Sequence, residues 1–182
     1  IRHDSYNVFG DATTYRFTGG YYHKETDTKL RAGYSTGFRA PSMNELYFPN
    51  FGNSNLGPEK NQSMDVGLDQ YFLSKQLKVT GGFFWNRYRN LIITTFDPAF
   101  CAPFSTFGFC PQQLGEASTK GWEAGLSYTY SSDRQFLKSM VVQAQYTNTI
   151  TRDLEAHTRL PRWPTDQWSA SVSYQPIDPL WI

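Results

Sequence analysis

Phe38 to Lys60 reads FRAPSMNELYFPNFGNSNLGPEK, and this stretch decides how the rest of the chain is read. On either side of it, apolar and polar residues alternate. Within it the alternation stops, replaced by three prolines, a central run of aromatics and a segment rich in Gly and Asn. Such a composition predicts a long ordered loop between two strands, and loops carried on a rigid scaffold are where binding tends to sit.

Working outward, the pattern has a period of two, the signature of strands with two unlike faces. Before the loop, Thr13 to Lys24 sets Tyr15, Phe17, Gly19 and Tyr21 against Thr14, Arg16, Thr18 and Gly20. Leu30 to Gly37 sets Leu30, Ala32 and Tyr34 against Arg31, Gly33 and Ser35. After it, Ser63 to Phe72 resumes with Met64, Val66 and Leu68 opposite Asp65, Gly67 and Asp69. Leu77 to Ile93 is the longest predicted strand, with Leu77, Val79, Phe83 and Trp85 opposite Lys78, Thr80 and Asn86. Glu116 to Tyr130, Leu137 to Thr149 and Asp166 to Gln175 follow in the same manner. Ile1 to Asp4 and the residues from Leu180 onward read as partial strands, and Ser5 to Ala12 as a polar loop. The other connections alternate in length. Glu25 to Lys29, Leu73 to Gln76, Ser131 to Gln135 and Pro176 to Pro179 are short turns, whereas Phe38 to Lys60, Thr94 to Gly115 and Thr151 to Pro164 are long.

Strands of about 10 residues or more, joined alternately by short turns and long loops, predict part of an all-β transmembrane antiparallel up-and-down β-barrel, whose strands need about 9–11 residues to cross at a tilt. The apolar face meets lipid, while Arg31, Asp65, Asp69, Lys78, Glu123 and Gln143 face a wet or plugged interior. Tyr21, Tyr71, Phe72, Tyr128 and Tyr130, near strand ends, are expected in the aromatic girdle. A soluble antiparallel sandwich also alternates. Its strands are nearer 5–6 residues, its loops need not alternate in length, and its core face favours Val, Ile and Leu over Tyr and Trp. About seven full strands and two partial ones cannot close a barrel, and closure is what removes sheet edges in lipid. Residues 1–182 are therefore expected to be a fragment, with the closing strands outside it.

The totals agree. Of the 182 residues 17% are aromatic, and the net charge of +1 gives no reason to expect a nucleic-acid partner. Mean hydropathy is −0.55, and no apolar run approaches the ~20 residues of a membrane helix. The two cysteines, Cys101 and Cys110, lie in one Pro/Gly/Phe-rich segment, which suggests a local disulfide in an oxidising compartment. Two cysteines with no histidine nearby make a poor zinc site, and no metal or cofactor is expected.

Several pieces of the chain together resemble the TonB-dependent outer-membrane receptors. Tyr34 to Pro41 matches their "Y-x-x-x-F-x-A-P", Leu46-Tyr47 their "L-Y", and Gly52-Asn53 to Pro58-Glu59 their "G-N-x-x-L-x-P-E". Arg2-His3-Asp4, Phe9-Gly10, Thr14, Tyr88 to Ile92 and Lys120-Gly121-Trp122-Glu123 stand in the right order around them. The aromatic-rich centre, Leu46 to Asn53, is most similar to the vitamin B12 (cobalamin) receptors of that family. The resemblance implies a barrel of about 22 strands with a plug domain inside it, neither complete here. It also implies an active transporter in the outer membrane of a Gram-negative bacterium. Energy would come from TonB acting through the plug domain, and the ligand would be scarce and bulky, cobalamin or, alternatively, an iron chelate such as a siderophore or haem. It further implies that Leu160-Pro161-Arg162 corresponds to a ligand-contacting segment, which makes Arg162 a binding candidate. Tyr47, Phe48 and Phe51 offer flat apolar contact, and Asn44, Asn53 and Asn55 offer hydrogen bonds. A passive porin or a soluble carbohydrate-binding β-domain would share the alternation but not the loop motif.

Other motifs carry less. Gly33-Tyr34-Ser35-Thr36-Gly37 fits G-x-S-x-G, but a nucleophile elbow needs a sharp strand-to-helix turn, and Ser35 sits inside an alternating strand. No enzyme is expected. His3, His23 and His157 share no ligand spacing. Asp65 and Asp69 share a face but stand roughly 13 Å apart at strand rise, too far for paired acid/base work.

Overall fold

A computed structural model describes residues 1–134, 137–160, 163–176 and 180. Two antiparallel sheets contain about two thirds of them. The smaller pairs β1 (Arg2–Tyr6) with β2 (Gly10–Thr14). The larger is an up-and-down meander of seven strands, each paired with its sequence neighbours: β3 (Arg16–His23), β4 (Thr28–Arg39), β5 (Glu59–Phe72), β6 (Leu77–Phe96), β7 (Phe109–Arg134), β8 (Leu137–Asp153) and β9 (Asp166–Gln175). The expected strand count of this sheet and its connection order are both met.

The register fixes the two faces. Leu30 pairs with Leu68, Ala32 with Val66, Val66 with Phe83 and Phe83 with Trp122, so one face carries a continuous apolar row across four strands. Leu68, Phe83, Trp122, Trp168 and Val172 are exposed. An apolar face of this extent, uncovered by any other layer among the described residues, suits lipid rather than water. From Met64 to Phe72 the face runs for roughly 26 Å of strand at about 3.3 Å per residue, enough to cross the hydrocarbon at a tilt.

The opposite face is polar. Arg31, Asp65, Asp69, Lys78, Glu123 and Gln143 all lie on it by register, as expected. Asp69 is nearly covered and pairs with Arg31 at 3.6 Å and Lys78 at 3.4 Å. Close packing needs glycine in places: a Cβ on Gly121 would run into the Asn148 carbonyl oxygen. Tyr71 is a correction. It pairs with Lys78 on the polar face, with the Lys78 ammonium 5.7 Å from its ring, and so cannot belong to the lipid-facing girdle. A one-residue offset from Phe72 is enough to reverse a side chain, because the strand period is two.

The strands also run further than the alternation suggested. β6 spans 20 residues and β7 spans 26, well beyond the roughly 9–11 a crossing requires. They pair as far as Phe96 with Phe109, interrupted only at Asn90 and Gly115. Both ends of Thr94 to Gly115, as far as Phe96 and from Phe109, therefore form a paired arm rather than loop. Ser5 to Ala12 likewise shrinks to a tight turn between β1 and β2. All three long connections, 40–58, 97–108 and 154–165, emerge at the same end of the sheet. Ser35 lies mid-strand in β4, paired with Ser63, and no elbow forms there.

Candidate functional site

The loop after β4 is built rather than floppy. Ser42 starts α1 (Met43–Tyr47) with a reciprocal capping box: the Glu45 N–H donates to Ser42 Oγ at 3.3 Å, and the Ser42 N–H donates to Glu45 Oε2 at 2.7 Å. Ser42-x-x-Glu45 is a helix signal legible in the sequence itself, set between two runs of strand pattern. Arg39, at the end of β4, grips the same Glu45 with both terminal guanidinium nitrogens at 3.0 and 3.1 Å and reaches Glu59 at 2.5 Å. Glu59 and then Glu45 push the Arg39 guanidinium further above its already high range. Burial raises the Glu45 carboxyl, but Arg39 and Ser42 outweigh it and hold the group below the usual glutamate range. One arginine thus ties both roots of the loop to its helix.

The centre of the loop folds back onto that helix. Gly52 lies so close that a Cβ would meet the backbone at Leu46, Tyr47 and Phe48 at 2.7 Å. Three clamps then staple the loop to the β6–β7 arm. Asn50 and Thr106 exchange two bonds of 2.8 Å. The Asn53 amide donates to the Pro111 carbonyl at 3.1 Å. Gln113 accepts from the Gly57 N–H at 3.0 Å and donates to its carbonyl at 2.6 Å. The arm is closed at its far end by α2 (Pro98–Cys101), which Asp97 caps, and by the disulfide between Cys101 and Cys110, both fully buried.

Between the loop and the tip of the arm lies a cleft of about 640 Å³, lined by Phe48, Pro49, Phe51, Phe107 and Phe109, with Asn44, Asn50 and Ser105 as its polar members. Phe48 and Phe51 meet edge to face, 6.4 Å between centroids. Phe109 packs on Phe96 at 4.6 Å. The cleft offers broad apolar contact with a few amides and a hydroxyl to orient a ligand. Among the described residues no cluster of His, Cys, Asp or Glu could hold a metal ion.

The expected binding residues separate. Asn44, Phe48 and Phe51 line the cleft. Tyr47 and Asn55 are exposed outside its lining. Asn53 is buried, and its side chain is spent on the Pro111 carbonyl and the Asn55 N–H, which makes it a clamp of the loop. Arg162 lies outside the described residues. Asn50, Ser105, Phe107 and Phe109 were not singled out by sequence. The Pro/Gly/Phe-rich composition around the cysteines was the available signal for Phe107 and Phe109, whereas nothing local marks which way those rings point.

The family model "TonB dependent receptor-like, beta-barrel" matches residues 1–181. The vitamin B12 transporter BtuB of Vibrio vulnificus is 32% identical over 123 residues, 68% of this chain and 19% of that protein. BtuB of Photobacterium profundum is 31% identical over 81 residues, 44% of this chain and 13% of that protein. The chain thus spans about a fifth or less of the length of these curated relatives. Among solved structures, the copper transporter OprC superposes with a TM-score of 0.67 at 17% identity, covering 87% of this chain and 23% of that one. The ferripyoverdine receptor of Pseudomonas aeruginosa superposes at 0.60 with 23% identity, covering 87% and 20%. At these identities the superpositions speak for the fold alone. With the apolar outer face, the polar inner face and the motif-bearing loop in their expected places, the chain belongs to the TonB-dependent receptor β-barrel family.

Proposed function

We propose that this chain forms part of the wall and ligand-binding surface of an outer-membrane transporter that takes up cobalamin in a Gram-negative bacterium. In this reading other strands complete the barrel, a plug domain fills it, and TonB supplies the energy for release inward. The observation that carries the substrate is the similarity, over 68% of the chain, to a protein named as a vitamin B12 transporter. The cleft between the loop and the arm supports it. Its rings present flat apolar surface to a large planar ligand, and its amides suit the hydrogen-bonding rim of such a molecule. Arg162 is proposed, on the resemblance of Leu160-Pro161-Arg162 alone, as a further ligand contact.

The experiment is a binding titration of the full-length receptor with cobalamin, set against ferric siderophore and haem. Saturable cobalamin binding with no comparable affinity for the iron chelates is the expected result. Tight binding of an iron chelate with none of cobalamin would replace this reading with that of an iron receptor. Arg162→Ala is expected to weaken cobalamin binding while the barrel still assembles, and equal affinity removes Arg162 from the site.

A further inference from the structure

Among the described residues, the aromatic cleft is lined by three polar side chains, Asn44, Asn50 and Ser105, and by no charged one. Two of the three are already engaged. Asn50 donates to the Thr106 hydroxyl and accepts from the Thr106 N–H, both at 2.8 Å. Ser105 is buried, and its hydroxyl oxygen accepts from the Phe107 N–H at 3.2 Å. Asn44 differs from both. It is exposed on α1, and among the described residues its carboxamide has no hydrogen-bond partner.

The free carboxamide is nonetheless held at a fixed place. Its backbone carbonyl accepts from the Phe48 N–H at 3.2 Å, and the capping box of Ser42 and Glu45 fixes the turn that carries it. The charges beside it are spent on one another. Arg39 and Ser42 occupy both oxygens of Glu45, and the remaining Arg39 nitrogen donates to Glu59 at 2.5 Å. Asn44 therefore presents a neutral donor and a neutral acceptor, side by side, to an uncharged cleft.

The group that satisfies both at once is another primary amide, which returns an acceptor for the donor and a donor for the acceptor. A carboxylate can only accept. It takes one bond from the Asn44 amide nitrogen and sets an anionic oxygen against Asn44 Oδ1, with no cation in the cleft to offset its desolvation. An apolar group in the same place covers the amide and leaves it unpaired. The phenylalanine rings give contact area to any flat molecule, so discrimination falls to the polar group that the wrong ligand leaves unsatisfied.

We propose that Asn44 is the specificity-determining residue of this cleft, an assignment that rests on reading the cleft as the cobalamin surface and adds its rule of selection. Asn44 pairs reciprocally with a primary amide at the edge of the ligand and turns away a ligand that carries a carboxylate there. Cobalamin bears primary amides around its ring, whereas chelates that present anionic oxygens meet a cleft with no counter-charge.

The test is equilibrium binding to the full-length receptor in detergent of cyanocobalamin and of its isomeric monocarboxylic acids, in each of which one peripheral propionamide is hydrolysed. The unaltered receptor is expected to bind one of these acids about thirtyfold more weakly than cyanocobalamin. Asn44→Ala is expected to weaken cyanocobalamin about tenfold and to shrink the preference over that acid to about threefold. Asn44→Lys, which supplies a cation, is expected to reverse the preference. Cyanocobalamin affinity within about threefold of the unaltered receptor in Asn44→Ala overturns the proposal, and so does a preference over the acid that the substitution leaves unchanged. Heat-modifiable mobility reports barrel assembly in each variant. If the alanine variant fails to assemble, Asn44→Asp replaces it, since it keeps the side chain's size and an acid suits the first turn of a helix; equal cyanocobalamin affinity there is equally fatal. An unaltered receptor that binds no cyanocobalamin overturns the substrate reading and this proposal with it, whereas binding without amide discrimination overturns this proposal alone.

Discussion

Phe48 and Phe107 stand on opposite walls of the aromatic cleft, one from the loop after β4 and one from the disulfide-closed arm, and truncating them tests whether the cleft takes the ligand. Phe48 is 56% exposed and Phe107 72% exposed, so neither ring supports the fold by burial. A phenylalanine side chain presents roughly 200 Å², which leaves about 110 Å² and about 140 Å² free for a ligand at the two positions. A planar ligand covers one face of each ring, about half of that. At ~25 cal/mol per Å² the covered area is worth about 1.4 and about 1.8 kcal/mol. Phe48→Ala and Phe107→Ala are therefore expected to raise the cobalamin Kd about tenfold and about twentyfold. The assay is equilibrium binding to the full-length receptor in detergent, with heat-modifiable gel mobility as the control for an assembled barrel. A change below about threefold at both positions, in barrels that assemble normally, would refute the assignment of this cleft as the binding surface.

Other consequences are separable from this one. Asn53→Ala strips a buried clamp and leaves the Pro111 carbonyl unpaired, a loss of about 1–3 kcal/mol. It should appear as faster proteolysis within residues 40–58 and weaker ligand binding, with barrel assembly intact. Because the Glu45 carboxyl is held below its usual value of 4.5, its contribution to the loop is fully present above that value. That contribution is lost as pH falls through the depressed one. Proteolysis of the loop should therefore quicken only as the pH falls below 4.5, and Ser42→Ala, which removes the cap at a cost of about 1 kcal/mol, should shift the onset upward. Cys101→Ser opens a link spanning a sequence separation of 9; the restored chain freedom is worth about 2.7 kcal/mol and should weaken ligand binding without lowering the thermal stability of the barrel. Gly121→Val places a side chain against the Asn148 carbonyl and Phe84 and should block barrel assembly, as read by the absence of heat-modifiable mobility.

The sequence carried the scaffold because a membrane strand is a two-valued object. Each residue faces lipid or interior, and Leu30, Met64, Phe83 and Trp122 against Arg31, Asp65 and Glu123 spell out that choice without reference to neighbours. It also carried the family, since Ala40-Pro41 and Gly57-Pro58-Glu59 end one strand and aim the next. Local pattern failed where ladder bonds decide. Pro111 and Gln113 read as loop, yet β7 runs through both, because the facing Thr94 and Ile92 of β6 keep pairing whatever the side chains say. It failed again at Tyr71, where adjacent aromatics offered no sign of which one turns inward.

What the sequence determined by itself, then, is the barrel wall, its two faces and the identity of the loop that interrupts it. Tertiary structure alone decided what that loop does. Asn53 and Asn44 are the same residue type in the same segment, but the fold spends one on the Pro111 carbonyl and leaves the other lining the cleft. Phe107 and Phe109 join Phe48 and Phe51 only because Asn50, Asn53 and Gly57 are clamped to an arm more than 50 residues later in the chain, with sequence separations of 56 and 58. A binding surface assembled across such distances depends on hydrogen bonds between segments, and no periodicity within either segment encodes them.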